Sequence, residues 1–223
     1  MKAVVFDLFG TLVPNYPRDR WNAGYARISQ VLGLEPDDFV REWVRHFERR
    51  MLGAHRESVD QLQAVLESLG VTRDADCLQR AKQMKLKILQ ESLTPKSDAL
   101  SCLTTLRSRG LKLALAMDCS WETPGLLDQT PLGAFFSVRA VSAFLGVRKP
   151  DPRMYRHVLD GLQVEASECL YVGDGNSEEL PGAKRMGMTS VWVNNGDDQH
   201  WKERWVPQAD HTVHALSEVV ALL

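Results

Sequence analysis

Four charged side chains that could do chemistry follow or lie near short apolar stretches of the 223-residue sequence. They are Asp7, Asp118, Lys149 and Asp174. An aspartate at the end of a buried strand can serve as a nucleophile or as a metal ligand. A lysine near it supplies a compact positive charge that can hold a carboxylate or a phosphate. For Asp7 alone, the competing interpretation is that it only ends a strand and starts a turn.

The pattern of apolar residues predicts the elements that position these side chains. Predicted strands cover residues 2–6, 111–117, 135–141, 169–172, 190–193 and a short segment from 212. Helical periods separate the later strands, and such alternation predicts a parallel sheet covered on both faces. Ligands bind at the carboxyl ends of the strands in such sheets. We therefore expect the four charged side chains to lie along one edge of the sheet.

Residues 21–91 differ from the rest because their periodicity is helical only. Four apolar stripes are present, one of them formed by Phe39, Trp43 and Phe47 at a spacing of four. Residues 33–36 and Gly70 act as stops between the stripes. The pattern predicts a separate lobe of four helices inserted after the first strand.

Three groups of residues, in this order, resemble the motifs of the haloacid dehalogenase superfamily. They are Asp7, Gly10 and Thr11; then Lys149, Pro150 and Asp151; then Gly173, Asp174 and Gly175 with Glu179, Gly182 and Ala183. The resemblance implies a Rossmann-like catalytic core of residues 1–14 and 94–223. It also implies that residues 15–93 form a helical cap that closes over the active site.

The resemblance assigns roles to the residues of the predicted site. Asp7 is the expected nucleophile, supported by Thr11 and Lys149. Mg²⁺ is the expected cofactor, held by Asp7, the backbone carbonyl of Phe9, Asp174 and Glu179, with Glu179 acting directly or through water. The predicted substrate-binding residues are Gly10, Asp118 and Asn176.

Two residues depart from the motifs of the family's phosphatases. Phe9 stands where those enzymes carry a second aspartate, and phenylalanine cannot transfer a proton. Met117 stands where the family carries Ser or Thr, and methionine cannot donate a hydrogen bond; Cys119 and Ser120 lie close enough in sequence to substitute. Phe9 and Asn176 also match the family's dehalogenases.

The acids of the predicted metal site decide our preference. The family's dehalogenases carry serine at the position of Asp174 and need no metal. We therefore predict a Mg²⁺-dependent phosphatase that acts on a small phosphorylated metabolite. A metal-independent 2-haloacid dehalogenase and a weakly active or non-catalytic binding protein remain the alternatives.

Composition limits the partners. The net charge of −2 does not favour nucleic acid or an anionic membrane, and no apolar run approaches the ~20 residues of a membrane helix. Four scattered cysteines and the absence of a signal peptide predict a cytoplasmic protein. We also expect a small-molecule substrate and a monomer or homodimer. The remaining candidates are predicted to have structural roles only. Arg41, Arg45 and His46 are expected on a charged outer face of a helix. Trp192, Trp201 and Trp205 are expected to pack in the core.

Overall fold

Six parallel strands form the centre of the protein, seen here in a computed structural model that describes residues 1–194, 196 and 208–223. In chain order they are β1 (Ala3–Phe6), β2 (Lys112–Met117), β3 (Val138–Val141), β4 (Cys169–Gly173), β5 (Thr189–Val193) and β6 (His211–Val213). Their order across the sheet is β3-β2-β1-β4-β5-β6, and every neighbouring pair is parallel. The predicted Rossmann-like sheet is confirmed.

The described helices cover both faces of the sheet and fill one long insertion. They are α1 (Arg18–Val31), α2 (Pro36–Arg45), α3 (Phe47–Met51), α4 (Ser58–Ser68), α5 (Ala75–Glu91), α6 (Ala99–Ser108), α7 (Thr123–Leu127), α8 (Ser142–Leu145), α9 (Pro152–Leu162), α10 (Glu179–Arg185) and α11 (Leu216–Val219). Val4 and Phe6 face an apolar layer that includes residues of α6 and α11. Ala3 and Val5 face a second layer that includes residues of α9 and α10. Since both faces of β1 are covered, its sequence is continuously apolar.

Strand β1 lies where the order of the sheet reverses. The chain builds outward from β1 through β2 to β3, and then returns to the other side of β1 with β4. Phe6 pairs in register with Leu115 of β2 and with Val172 of β4. Crevices at such a reversal are the usual ligand sites of open α/β sheets. The aspartates that follow these three strands therefore meet at one edge.

Residues 18–91, all of which the structure describes, form helices and connecting loops without a strand, as predicted. Four of the five helices of this insertion, α1, α2, α4 and α5, share an apolar core separate from the two layers of the sheet, and this core includes Ile28, Phe39, Trp43 and Leu62. The prediction of four helices was wrong by one, because the helix of the second stripe ends at Arg45 and a new helix starts at Phe47.

His46 explains that break. Its backbone leaves the helical region (φ −85°, ψ 3°), and its Nε2 lies 2.9 Å from the Ser68 hydroxyl of α4. Phe47 consequently leaves the stripe and is 43% exposed, whereas Trp43 is 3% exposed. The prediction of an outer face was wrong for His46, which is buried. It is confirmed for Arg41 and Arg45, whose side chains are 57% and 69% exposed.

The start of β3 differs from prediction, and the start of α10 is determined by the backbone that precedes it. Strand β3 starts at Val138 because Gly133–Phe135 forms a 3₁₀ turn. Helix α10 starts at Glu179 because Ser177 and Glu178 have φ values of 56° and 49°, so the exposed Glu178 precedes the helix.

Of Trp192, Trp201 and Trp205, Trp192 lies among the described residues. Trp192 is 8% exposed and packs in the second layer of the sheet, as predicted. Trp201 and Trp205 lie outside the described residues.

Candidate active site

Asp7 follows β1 directly and is 6% exposed. Its Oδ1 accepts a hydrogen bond from Lys149 Nζ at 2.5 Å, and its Oδ2 accepts one from Thr11 Oγ1 at 3.2 Å. The backbone N–H of Asp7 donates to the carbonyl of Val172 in β4, which continues the sheet ladder by one residue. Two side chains and the sheet therefore hold the Asp7 carboxylate in one orientation.

Gly10 lets the loop after β1 approach the carboxylate of Asp174. Its φ is +84°, and a Cβ built on it would lie 2.1 Å from Asp174 Oδ2 and 2.5 Å from Asn15 Nδ2. No side chain fits there, and the left-handed conformation also favours glycine. Lys96, which follows the helical insertion, donates to the Gly10 carbonyl at 2.5 Å and fastens the same loop.

Lys149 joins two of the acids. Its Nζ donates to Asp7 Oδ1 at 2.5 Å and to Glu179 Oε2 at 2.7 Å, and its side chain is 3% exposed. Burial alone would lower the pKa of this lysine, but the two carboxylates hold it well above its usual value. The ammonium therefore stays charged at neutral pH.

Asp174 follows β4 and is fixed by two asparagines. Its Oδ2 accepts hydrogen bonds from Asn15 Nδ2 at 3.0 Å and Asn176 Nδ2 at 2.6 Å, and its Oδ1 accepts one from the Asn176 backbone N–H at 3.0 Å. Burial and the negative charge of Asp7 nevertheless raise the pKa of Asp174 to about 6. Trp192 Nε1 donates to the Asp174 carbonyl at 2.9 Å and fixes the backbone at this point.

Glu179 is the most enclosed acid of the group, with no exposed surface. Its Oε2 accepts from Lys149 and from the Tyr171 hydroxyl at 2.9 Å, and its Oε1 accepts from the Gly175 backbone N–H at 3.0 Å. Burial raises the pKa of Glu179, and Lys149 opposes that rise. Gly173 makes room for it, because a Cβ there would lie 2.1 Å from Oε1.

The three acids form a donor set suited to a hard cation. One carboxylate oxygen from each of Asp7, Asp174 and Glu179 lies within 4.8 Å of the other two. Three carboxylates face a single lysine, and the pKa of Asp174 is raised first by burial and then by the negative charge of Asp7. Oxygen donors and uncompensated negative charge are what Mg²⁺ and Ca²⁺ sites require. The residues present therefore fit a divalent cation.

The other predicted site residues lie around this centre. Asp118 Oδ1 accepts from the Lys149 backbone N–H at 3.1 Å, and Arg148 Nε lies 3.7 Å from Oδ2, so Asp118 holds the loop that carries the lysine. Asn176 is exposed and directs its amide to Asp174. The half-buried ring of Phe9 packs against the first apolar layer and lines a cavity beside the site.

Met117 and its neighbours Cys119 and Ser120 differ in their access to the cavity. Met117 is fully buried in the first apolar layer and offers no contact to a substrate. Ser120 lines the cavity and is 8% exposed, so its hydroxyl is one of the polar groups available there. Burial raises the pKa of the neighbouring Cys119 thiol to about 12, and it stays neutral.

A cavity of about 430 Å³ separates the sheet edge from the helical insertion. Phe9, Asn15, Asp118 and Ser120 line it from the side of the sheet. The opposite wall is mostly aromatic and aliphatic, and it also contains the side chains of Arg50 and Lys85.

Sequence reasoning missed several residues of this region: Asn15, Arg50, Lys85, Glu122 and Tyr171. Tyr171 sits on β4, whose side chains alternate between the faces of the sheet, but nothing in that pattern identifies Glu179 as its partner. The charges of α3, α5 and the loop before α7 carry no local motif. Only their contacts distinguish them from solvated residues.

Comparison with known proteins agrees with this arrangement. A model of the haloacid dehalogenase-like hydrolase family matches residues 1–187. The chain belongs to this family. The resemblance predicted from the motifs is confirmed, and the chain is a hydrolase.

Named phosphatases are similar to this hydrolase in sequence, and its fold is shared with solved structures of phosphatases and dehalogenases. A glyceraldehyde 3-phosphate phosphatase of Methanopyrus kandleri is 28% identical over 212 residues, covering 92% of this chain and 88% of the relative. The crystal structure of a phosphatase of this family from Thermococcus onnurineus superposes with a TM-score of 0.71 at 26% identity, covering 100% and 97%. A 2-haloacid dehalogenase from Pseudomonas syringae pv. tomato has the same TM-score at 23% identity, covering 100% and 98%, and shows the shared fold alone.

Two further observations concern membrane-spanning helices and the cysteines of the chain. In the part of the chain that the structure describes, no helix combines the length and apolar character needed to cross a bilayer. Cys77, Cys102, Cys119 and Cys169 are all buried free thiols.

Proposed function

We propose that this hydrolase is a Mg²⁺-dependent phosphatase that acts on a small phosphorylated molecule. The observation that carries the proposal is the cluster of Asp7, Asp174 and Glu179 carboxylates within 4.8 Å of one another. Dehalogenation needs no such cluster, because halide leaves without a metal or a proton. The phosphatase name of the relative matched over most of its length supports the same conclusion.

The contacts of the site suggest a role for each residue. Asp7 attacks phosphorus, the bond to the leaving oxygen breaks, and an aspartyl phosphate forms; water then releases phosphate and restores the carboxylate. Thr11 and Lys149 orient the Asp7 carboxylate, and Lys149 also offsets charge on the incoming phosphate. A divalent cation, when bound, would neutralise charge on the transferring phosphoryl group.

Direct metal ligation falls to Asp7 and Asp174 in this proposal, with the carbonyl of Phe9 as predicted. Glu179 has no exposed surface, whereas Asp174 is partly exposed, so we assign Glu179 the indirect role of holding Lys149 and the Gly175 backbone. Gly10, Asp118 and Asn176 remain the proposed substrate-binding positions, Gly10 through its backbone.

We further propose that residues 15–93 act as a cap on a core of residues 1–14 and 94–223, with hinges near Pro14 and Pro95. Support comes from the separate apolar core of the insertion and from the cavity between the two parts. Glu48 of the insertion also pairs with Arg148 of the core, next to the catalytic lysine. A cytoplasmic location remains part of the proposal and agrees with four free thiols.

A 2-haloacid dehalogenase is the second candidate, and one observation favours it. Phe9 presents an aromatic ring to the cavity at the place where a phosphatase of this family would carry its proton donor. The same ring is compatible with a phosphatase whose leaving group departs without a proton. A dehalogenase would use Asp7 as its nucleophile but would have no use for Asp174 as a metal ligand.

A panel assay separates the two chemistries. Purified protein is supplied with aryl phosphates, alkyl phosphates and 2-chloropropionate, and phosphate and halide release are measured with Mg²⁺ and with EDTA. We expect phosphate release from aryl esters that requires Mg²⁺. Halide release that persists in EDTA, with no phosphate from any ester, would overturn the proposal.

Titration calorimetry tests the metal site independently of turnover. Mg²⁺ binding by the wild-type protein should disappear in Asp174→Ala. Asp38→Asn is the matched control, because Asp38 is an exposed acid that pairs with Arg41 on α2. Unchanged binding in Asp174→Ala would show that the cation binds elsewhere.

A further inference from the structure

The wall of the cavity formed by the helical insertion is mostly aromatic and aliphatic. Its rings and aliphatic groups come mainly from α1, α2 and α3, and they include Trp21, Tyr25, Ile28, Trp43, Phe47 and Met51. Trp21 and Tyr25 stack with their centroids 5.7 Å apart. Flat apolar walls favour a flat apolar ligand body, because burying it removes apolar surface from water.

One cation in this wall has no acidic partner of its own. Arg50 is 4% exposed and lines the cavity. Its guanidinium lies 3.9 Å from the centroid of the Trp43 ring and donates one hydrogen bond, to the Trp43 carbonyl at 2.5 Å. Among the described residues, no carboxylate lies within ion-pair distance of it. A buried guanidinium offers five donors, and one carbonyl satisfies only one of them.

The carboxylate that acts on Arg50 is Glu122, which pairs with Lys85 through Oε1 and has no hydrogen-bond partner at Oε2. Glu122 accepts from Lys85 Nζ at 2.6 Å, and it also accepts from Gln61 and from Ser58. Two cations and one carboxylate leave one positive charge in the wall. Burial lowers the pKa of Arg50 to about 10, so the guanidinium remains charged at neutral pH. Buried charge without a counter-ion is costly, and an anionic group of a ligand would offset that cost.

Phe9 limits the leaving group from the other end of the cavity. Without a carboxylic acid at this position, the leaving oxygen departs as an anion or takes its proton from water. A phenolic oxygen tolerates that far better than an alkoxide, because its conjugate acid is much stronger. The same cavity thus selects for an aromatic body by shape and for an aryl oxygen by chemistry.

We propose that the substrate is an aryl phosphate that carries a carboxylate, with the phosphate at Asp7 and the carboxylate on Arg50. This inference rests on the proposed phosphatase function. The cavity of about 430 Å³ is large enough for one substituted ring. Arg50 then acts as a specificity residue and takes no part in the bond changes at phosphorus.

The test compares two substrates that differ mainly in charge. Wild-type protein with Mg²⁺ hydrolyses 4-carboxyphenyl phosphate and its neutral isostere 4-carbamoylphenyl phosphate. We expect the KM for the carboxylate to be lower by about 10- to 100-fold, the range of a charge-assisted hydrogen bond in a desolvated cavity. Arg50→Met should remove this preference by raising the KM of the carboxylate alone, and Arg50→Lys should retain part of it.

Arg41→Met is the matched control, because Arg41 carries the same charge on the exposed side of α2. It should leave both KM values unchanged. Thermal unfolding of each variant checks that it folds, and the preference of the wild-type protein stands as a test even if Arg50→Met does not fold.

The outcomes separate this inference from the function on which it rests. Equal KM values for the two substrates in the wild-type protein would overturn the inference and leave the phosphatase intact. An equal loss on both substrates in Arg50→Met would show that Arg50 only supports Trp43, and would also overturn it. If neither substrate nor any other phosphate ester is hydrolysed, the phosphatase proposal fails as well.

Discussion

Replacing Glu122 with glutamine tests how a buried ion pair joins the helical insertion to the sheet. Lys85 on α5 and Glu122 before α7 pair at 2.6 Å, and their side chains are 9% and 11% exposed. Burial opposes the charged form of both groups. For Glu122, the attraction of Lys85 outweighs burial and lowers its pKa to about 2. For Lys85, burial prevails and lowers its pKa.

The magnitude follows from what Lys85 can do once its partner is neutral. Breaking a buried pair on one side typically costs ~3–5 kcal/mol, because the other charge stays buried. Lys85 can limit that cost by releasing its proton. From its ordinary pKa of 10.5, deprotonation at about pH 7.5 costs ~4 kcal/mol, at ~1.36 kcal/mol per pH unit. We therefore expect Glu122→Gln to lower the free energy of unfolding by ~3–4 kcal/mol, or about 10 °C in Tm.

The same reasoning fixes the sign of the pH dependence. In Glu122→Gln, the pKa of Lys85 in the folded state lies below its value in the unfolded chain. The unfolded state then binds more protons, so stability rises with pH up to the unfolded pKa. The difference in free energy of unfolding between Glu122→Gln and wild type should decrease between about pH 7.5 and 9.5, by at most ~1.4 kcal/mol per pH unit.

Urea denaturation at the two pH values measures these quantities. The double variant Glu122→Gln with Lys85→Met is the control, because it removes both charges and keeps the volume of the lysine stem. The free energy of unfolding of this double variant should be lower than that of wild type by only ~1.5 kcal/mol or less. A loss below ~1 kcal/mol in the single variant, or a deficit independent of pH, would refute the reasoning.

Three further substitutions address the site itself. Phe9→Asp should raise the rate on alkyl phosphates selectively, by a visible part of the ~10²–10⁴-fold that general acid catalysis supplies, with Phe9→Leu as control; a dehalogenase would instead lose halide release. Gly10→Ala should reduce kcat by ~10²-fold or more, because its methyl group would collide with Asp174 Oδ2; wild-type kcat would show that the loop has room to move. Tyr171→Phe should cost ~1–2 kcal/mol in urea denaturation, since it removes one hydrogen bond from the buried Glu179.

The sheet and the charged centre could be predicted from sequence because local rules determine them. A buried parallel strand is a short apolar run, and a residue that follows it must lie at the carboxyl edge of the sheet. Asp7 and Asp174 are separated by more than 160 residues, yet this rule brings both to the reversal of strand order. This rule does not place Lys149. Its position beside the acids was predicted from the resemblance of its motif to that of the family.

The wall of the cavity could not be predicted in the same way. Whether Arg50 faces a cavity or solvent depends on the break at His46, and that break depends on a hydrogen bond to Ser68 in another helix. The partners of Glu122 come from α4 and α5, about 40 to 60 residues earlier. Helical periodicity identifies the apolar face of each helix but not the neighbour it meets. The residues proposed to select the substrate therefore become visible only in three dimensions.

Asn15 connects the predicted metal site to the helical insertion through the loop after β1. It lies in the first connection between the sheet and the helical insertion, and its amide donates to Asp174 Oδ2. The second connection is fastened to the same loop, because Lys96 donates to Leu12 through its backbone and to Gly10 through its side chain. A cation ligated by Asp174 would share this oxygen with the amide. Metal affinity and the orientation of the insertion are then thermodynamically linked quantities, and each must respond to a change in the other.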